Sequence, residues 1–187
     1  MEQFQWKSLG SDMLAVAKYA GLNAFVAAGS SMGSATSLYA AIENPASVKG
    51  LILIRPPTAW DSRRSRRENL LKSAENCKEK HPDELNYLVL RGTAYSDLPP
   101  KNSIHVYESV KCPVLILAVK GDDAHPLSTA YELSKQLKQS ILHIAENEAV
   151  ASKQWPAIIS NFLLDLNLLS TPSPRAPAAR RIRGLSM

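Results

Sequence analysis

Short, nearly unbroken apolar runs alternate along this chain with longer stretches whose apolar residues recur every three or four positions. The runs lie at Asn23–Ala28, Val48–Ile54, Pro113–Val119 and Ser140–Ala145, each about the length of a buried strand. Before the first, Met13, Leu14, Val16, Ala17 and Ala20 predict a helix from Ser11 to Ala20, with Ser11 as its cap and Gly21 as a left-handed stop. Ala35, Leu38, Ala41 and Ile42 form the stripe of a second helix, Ser34–Glu43, which Asn44-Pro45 ends. Residues 61–92 are charged and helical in character, with Leu70-Leu71 in one segment and Leu85, Leu88 and Val89 in another. Pro126 opens a helix whose Leu127, Ala130, Leu133 and Leu137 share a face, and from Ser152 a last helix carries Trp155, Ile158, Ile159, Phe162, Leu163 and Leu166. Strands alternating with helices predict an α/β fold: a mostly parallel sheet of about four strands flanked by helices and joined by right-handed crossovers.

Composition changes this picture little. The chain has 187 residues, 45% of them hydrophobic and 21% charged, which suits one domain of ordinary globular type. It has no run of eighteen apolar residues, so no membrane span is expected. Met1-Glu2-Gln3-Phe4-Gln5-Trp6-Lys7 lacks the apolar core of a signal peptide. Cys77 and Cys112 fit no metal spacing and no disulfide framework. They read as free thiols in a reducing compartment, and a cytoplasmic location is expected. No cofactor and no metal are expected.

Charge needs to be located before it is interpreted. The formal net charge is +5, but Arg175, Arg180, Arg181 and Arg183 lie in residues 170–187 without an acid among them. That leaves 18 of the 22 basic residues against 17 acids in residues 1–169, so the body is nearly neutral and nucleic acid is not an expected partner. The proline-rich tail 170–187 reads as disordered. Within 61–92, the run Arg63-Arg64-Ser65-Arg66-Arg67 reads as a solvated helix face, with recognition of an acidic partner as the alternative.

The chemistry concentrates at Gly29-Ser30-Ser31-Met32-Gly33, between the first strand and the second helix. A serine between two glycines at a strand-to-helix junction has the pattern of a nucleophile elbow: a tight turn that holds the hydroxyl outward near a helix N-terminus. Gly29 and Gly33 are expected at positions where little more than a hydrogen fits.

From this turn outward, the chain resembles the α/β-hydrolase family, specifically the C-terminal portion of its domain. The resemblance rests on Asp12 on a helix, Phe25–Gly33, Asn44-Pro45, Leu51–Ile54, Cys112–Leu117, Gly121-Asp122-Asp123, Pro126 and Trp155-Pro156 with Phe162-Leu163, and covers residues 6–168. It implies Ser31 as nucleophile, the Met32 N–H as an oxyanion donor, and Asp122 as the acid, with Asp123 the second choice. One of the two aspartates would otherwise cap the helix opened by Pro126. Residues 60–110 correspond to a helical cap insertion, and the expected substrate is a small ester, thioester or other acyl compound.

The chain also departs from the family pattern. The family's histidine would fall near Ala149, where the sequence reads Glu146-Asn147-Glu148-Ala149-Val150. His125 in the acid loop and His143 inside a strand are the candidate bases, while His81 and His105 fall in the cap-like region. Only ten residues precede the helix at Ser11, where the resemblance implies further strands and a second oxyanion donor. The expectation is therefore a truncated α/β-hydrolase domain whose first strand, Asn23–Ala28, is an open edge inviting self-association. Such a chain would be a shortened gene product, a splice form or an incomplete gene model, and would be weak or inactive as an enzyme. The alternatives are a non-catalytic hydrolase-like binding or regulatory module, or a fragment without independent function.

Overall fold

The computed structural model of the protein describes residues 4–81 and 85–166; the basic segment 170–187 lies outside them. Among the described residues, four strands form one sheet: β1 (Phe25–Ser30), β2 (Val48–Ile54), β3 (Val114–Val119) and β4 (Ser140–Ala145). Every neighbouring pair is parallel and the spatial order is the chain order, with Gly29 opposite Leu53, Leu53 opposite Ile116, and Ile116 opposite Leu142. β1 is therefore an edge strand in this sheet, as expected.

The helices cover both faces. On one side lie α1 (Trp6–Tyr19), α2 (Met32–Glu43) and α7 (Leu127–Gln136); on the other lies α8 (Glu148–Asp165). The period of two along the strands accounts for this. Leu51, Leu53, Val114, Ile116 and Ala118 face the first layer, while Ile52, Leu115 and Leu117 meet Phe162, Ile158 and Ile159 of α8. Every residue of β3 is buried, as a strand covered on both faces should be.

Between β2 and β3 the described residues form four helices: α3 (Trp60–Ser65), α4 (Arg67–Lys80), α5 (Asn86–Ala94) and α6 (Ile104–Glu108). The arginine run lies here, and it is not uniformly solvated. Arg63 is only 6% exposed; its guanidinium donates to the carbonyls of Ser96 (3.3 Å) and Thr93 (2.5 Å) and lies 4.5 Å over the Trp6 ring. Arg64, Arg66 and Arg67 are exposed.

Three helix starts differ from the sequence expectation, α2 by two residues, since it begins at Met32 rather than Ser34. α1 begins at Trp6, because this indole is buried and anchors the first turn, its backbone N–H donating to Ser96 Oγ at 3.0 Å. Ser11 is an interior residue of α1 that donates to Glu43 Oε2 at 2.7 Å. α8 begins at Glu148 rather than Ser152, since the Asn147 side chain caps it by accepting from the Val150 N–H. The α1 stop is as expected: Gly21 has φ +74°, with Leu22 N–H donating to Ala17 and Gly21 N–H to Lys18, a Schellman motif.

Candidate active site

Parallel strands present their carboxyl ends on one edge of the sheet, and open α/β sheets use that edge for chemistry. Here four segments meet there: the β1–α2 turn, Arg55 after β2, Gly121–Pro126 after β3, and the start of α8 after β4.

The β1–α2 turn is as tight as its sequence suggests. Ser31 has φ 55° and ψ −118°, outside the regions an L-residue ordinarily adopts. Its N–H donates to the Ile54 carbonyl, and its own carbonyl accepts from Ser34 N–H and Ser34 Oγ. Ser31 occupies the N-cap position of α2 without making a side-chain cap bond, which leaves Oγ for other partners. A Cβ on Gly29 would stand 2.2 Å from the backbone of Gly33, so this position excludes every side chain. Gly33 differs from the expectation: a Cβ there meets nothing within 4 Å, because the helix directs that position outward. Met32 opens α2, where the first N–H groups have no intrahelical acceptor. Its sulfur accepts from Thr93 Oγ1 at 3.7 Å, which sets α5 beside the turn.

The β3–α7 loop folds on itself around one carboxylate. Gly121 has φ +76° and admits the turn. Asp122 Oδ1 then accepts from the Ala124 and His125 N–H groups at 3.1 and 3.2 Å, an Asx-type turn. Asp122 Oδ2 accepts from His125 Nδ1 at 2.8 Å, and His125 Nε2 stands 2.8 Å from Ser31 Oγ. An ionised carboxylate only accepts, so Nδ1 carries the imidazole proton and Nε2 accepts from the serine hydroxyl.

Arg55 completes the cluster. Its Nε and Nη2 donate to Asp122 Oδ2 at 2.9 and 2.5 Å, and Nη2 also pairs with Glu148 Oε1 at 2.8 Å. Burial raises the Asp122 carboxyl, whose side chain is 11% exposed, but Arg55 and His125 outweigh it and hold the group down at about 2.

The structure thus brings together Ser31, Met32, His125 and Asp122 of the sequence candidates. Asp123 is exposed. Neither aspartate caps α7, whose N-cap is Pro126 and receives no side-chain bond; Asp122 turns its own loop instead. His143 lies on β4 opposite Leu117 and lines a recess with Ile158 and Asp165 of α8. His105 is exposed on α6 and His81 ends α4. Arg55 is not among the sequence candidates, and its signal is slight: a single cation closing the apolar run Leu51–Ile54 ahead of Pro56-Pro57. Among the described residues no group of His, Cys, Asp and Glu has the arrangement of a metal site, and no helix is long and apolar enough to cross a membrane.

No protein-family model matches the sequence, and no curated protein does. Solved structures do match in three dimensions. A carboxylesterase structure from Nitrososphaera gargenis shares 14% identity at a TM-score of 0.69 and covers 88% of this chain and 73% of its own. An α/β hydrolase enzyme from a Medee basin deep-sea metagenome shares 13% at 0.69, covering 94% of this chain and 76% of its own. A thermophilic esterase from Thermogutta terrifontis shares 17% at 0.62, covering 87% and 73%. The fold is that of the α/β hydrolases. In this chain helices α3–α6 separate β2 from β3 in sequence, although the two strands are neighbours in the sheet.

Proposed function

We propose that this chain is a serine hydrolase acting on a small ester, thioester or other acyl substrate, with Ser31 as nucleophile, His125 as base and Asp122 as the acid that orients it. The observation that carries this reading is the unbroken hydrogen-bonded path from Ser31 Oγ through both His125 nitrogens to Asp122 Oδ2. Ser31 Oγ attacks the carbonyl carbon while its proton moves to His125 Nε2, and Asp122 stabilises the imidazolium through Nδ1–H. The Met32 N–H, at the start of α2, donates to the oxyanion. Collapse breaks the bond to the leaving alcohol or thiol, which takes the proton from Nε2. Water, deprotonated by the same nitrogen, then releases the acid and restores Ser31.

Residues 60–110 act in this reading as the cap that shapes the pocket, with α5 held beside the elbow by the Thr93–Met32 contact. The free thiols Cys77 and Cys112 fit a reducing cytoplasm. The open edge of β1 favours self-association through strand pairing.

A fluorophosphonate probe tests the nucleophile directly. Labelling of the wild-type protein that disappears in Ser31→Ala and falls at least about a hundredfold in His125→Ala is expected. The elbow supplies one oxyanion donor, and loss of a donor slows turnover about 100- to 1000-fold, so labelling is the more sensitive readout. A folded protein that takes up no probe would overturn the proposal and leave a non-catalytic binding module as the better reading.

A further inference from the structure

We infer that Arg55, bridging Asp122 and Glu148, is a positioning residue of the Ser31–His125–Asp122 relay, with Glu148 as its anchor. The inference rests on the serine-hydrolase reading and deepens it.

The need for such a residue follows from where the acid and base sit. Asp122 and His125 are three residues apart on one loop, and Ala124 in that loop is exposed. The Asx turn fixes the two relative to each other, since Asp122 Oδ1 takes the Ala124 and His125 N–H groups. It does nothing to fix the loop relative to Ser31, which lies on the β1–α2 turn.

The segment after β2 supplies that registration at two points. Arg55 grips Asp122 Oδ2 through both Nε and Nη2, and the Thr58 N–H donates to the Ala124 carbonyl at 3.0 Å. The same segment is tied to the elbow, because the Ser31 N–H donates to Ile54, the residue before Arg55. Arg55 itself is held in the left-handed region, φ 50°, while its N–H donates to Leu117 at 2.7 Å. A non-glycine residue keeps such a conformation only where its surroundings over-determine it.

Glu148 supplies the third point. It is the first residue of α8, and its carboxylate takes Arg55 Nη2 at 2.8 Å. The guanidinium is planar and forked, so Asp122 on Nε and Nη2 together with Glu148 on Nη2 fixes its orientation in a way a single pair would not. Arg55 is 29% exposed and Glu148 61%, so the bridge is open enough to be altered without emptying the core.

The test compares Arg55→Gln, Arg55→Lys and Glu148→Gln with the wild type, each checked for cooperative thermal unfolding. Ester turnover should fall about 10- to 100-fold in kcat for Arg55→Gln with KM within about twofold, since misplacement of a catalytic group costs on that order. Arg55→Lys should recover part of that loss. Glu148→Gln should lose about threefold, and decides the matter if Arg55→Gln does not fold. A second readout needs no turnover: the long-range ¹H–¹⁵N spectrum of His125 should show a single Nδ1–H tautomer in the wild type and a mixture in Arg55→Gln. Unchanged kcat and an unchanged tautomer in folded Arg55→Gln, with Ser31→Ala still inactive, overturn this inference alone. A wild type without turnover or labelling overturns the serine-hydrolase reading, while the tautomer comparison still decides whether Arg55 positions His125.

Discussion

His125 Nε2 and Ser31 Oγ stand 2.8 Å apart although 94 residues separate them in the chain. The contact joins the end of the edge strand β1 to the loop after β3, across β2. In the serine-hydrolase reading, base and acid then share one loop, and β4 and α8 contribute no residue to the Ser31–His125–Asp122 chain.

Replacing the two candidate bases, His125 and His143, therefore has unequal consequences. His125→Ala should lower kcat/KM for a p-nitrophenyl ester by about a thousandfold or more. His143→Gln, on β4, should leave it within about twofold. Equal losses in two folded variants would argue against His125 as the base.

Acid stability should report the Asp122 cluster. The carboxyl is lowered from 3.8 to about 2 in the folded protein. Its stabilisation is present in full above the unfolded value and is lost as pH falls through the folded one. Urea midpoints of the wild type and Asp122→Asn should differ by a constant amount above about pH 5, and the gap should narrow as pH falls from about 4 towards about 2. A gap that persists undiminished to about pH 2 would contradict the assignment.

The two glycines of the elbow should behave differently. Gly29→Ala forces a Cβ to 2.2 Å from the Gly33 backbone and should cost roughly 2–4 kcal/mol of stability. Gly33→Ala meets open space in the first turn of a helix, and should be neutral or stabilising by up to about 1 kcal/mol. Denaturant unfolding of both variants checks this, and equal destabilisation would show that the turn is tight at both positions.

Within the arginine run only one member should matter for folding. Burial pulls the Arg63 guanidinium down to about 10, still charged at neutral pH, with two carbonyls and the Trp6 ring as partners. Arg63→Ala should cost roughly 2–4 kcal/mol, while Arg66→Ala on the exposed face should stay within about 0.5 kcal/mol. Thermal unfolding of the pair distinguishes them.

The strands are legible in the sequence because their apolar runs are bounded by breakers: β2 and β4 begin and end where Val48–Ile54 and Ser140–Ala145 indicate. The start of α1 is not, because Trp6 is an isolated apolar residue until its partners Ser96 and Arg63 are known. Arg63 is illegible for the same reason, being one of four arginines in five residues, three of which face water. At the site, Ser31 and Asp122 follow from local pattern. The role of His125 depends on an Asx turn that folds the loop back, which a sequence spacing of three does not reveal. Arg55 is invisible because its partners, Asp122 and Glu148, lie on two other connections.

Within the turn Asp122–His125, the Asp122 carboxylate takes two backbone N–H groups and the His125 ring, all inside four residues. Any drift of that loop carries both groups together and preserves the distance between them. The vulnerable length is the gap from His125 to Ser31, so the relay disconnects at a single joint. A carboxylate–imidazole pair packaged this way is also transferable in principle: four consecutive residues and one gripping cation could be moved to the end of another parallel strand.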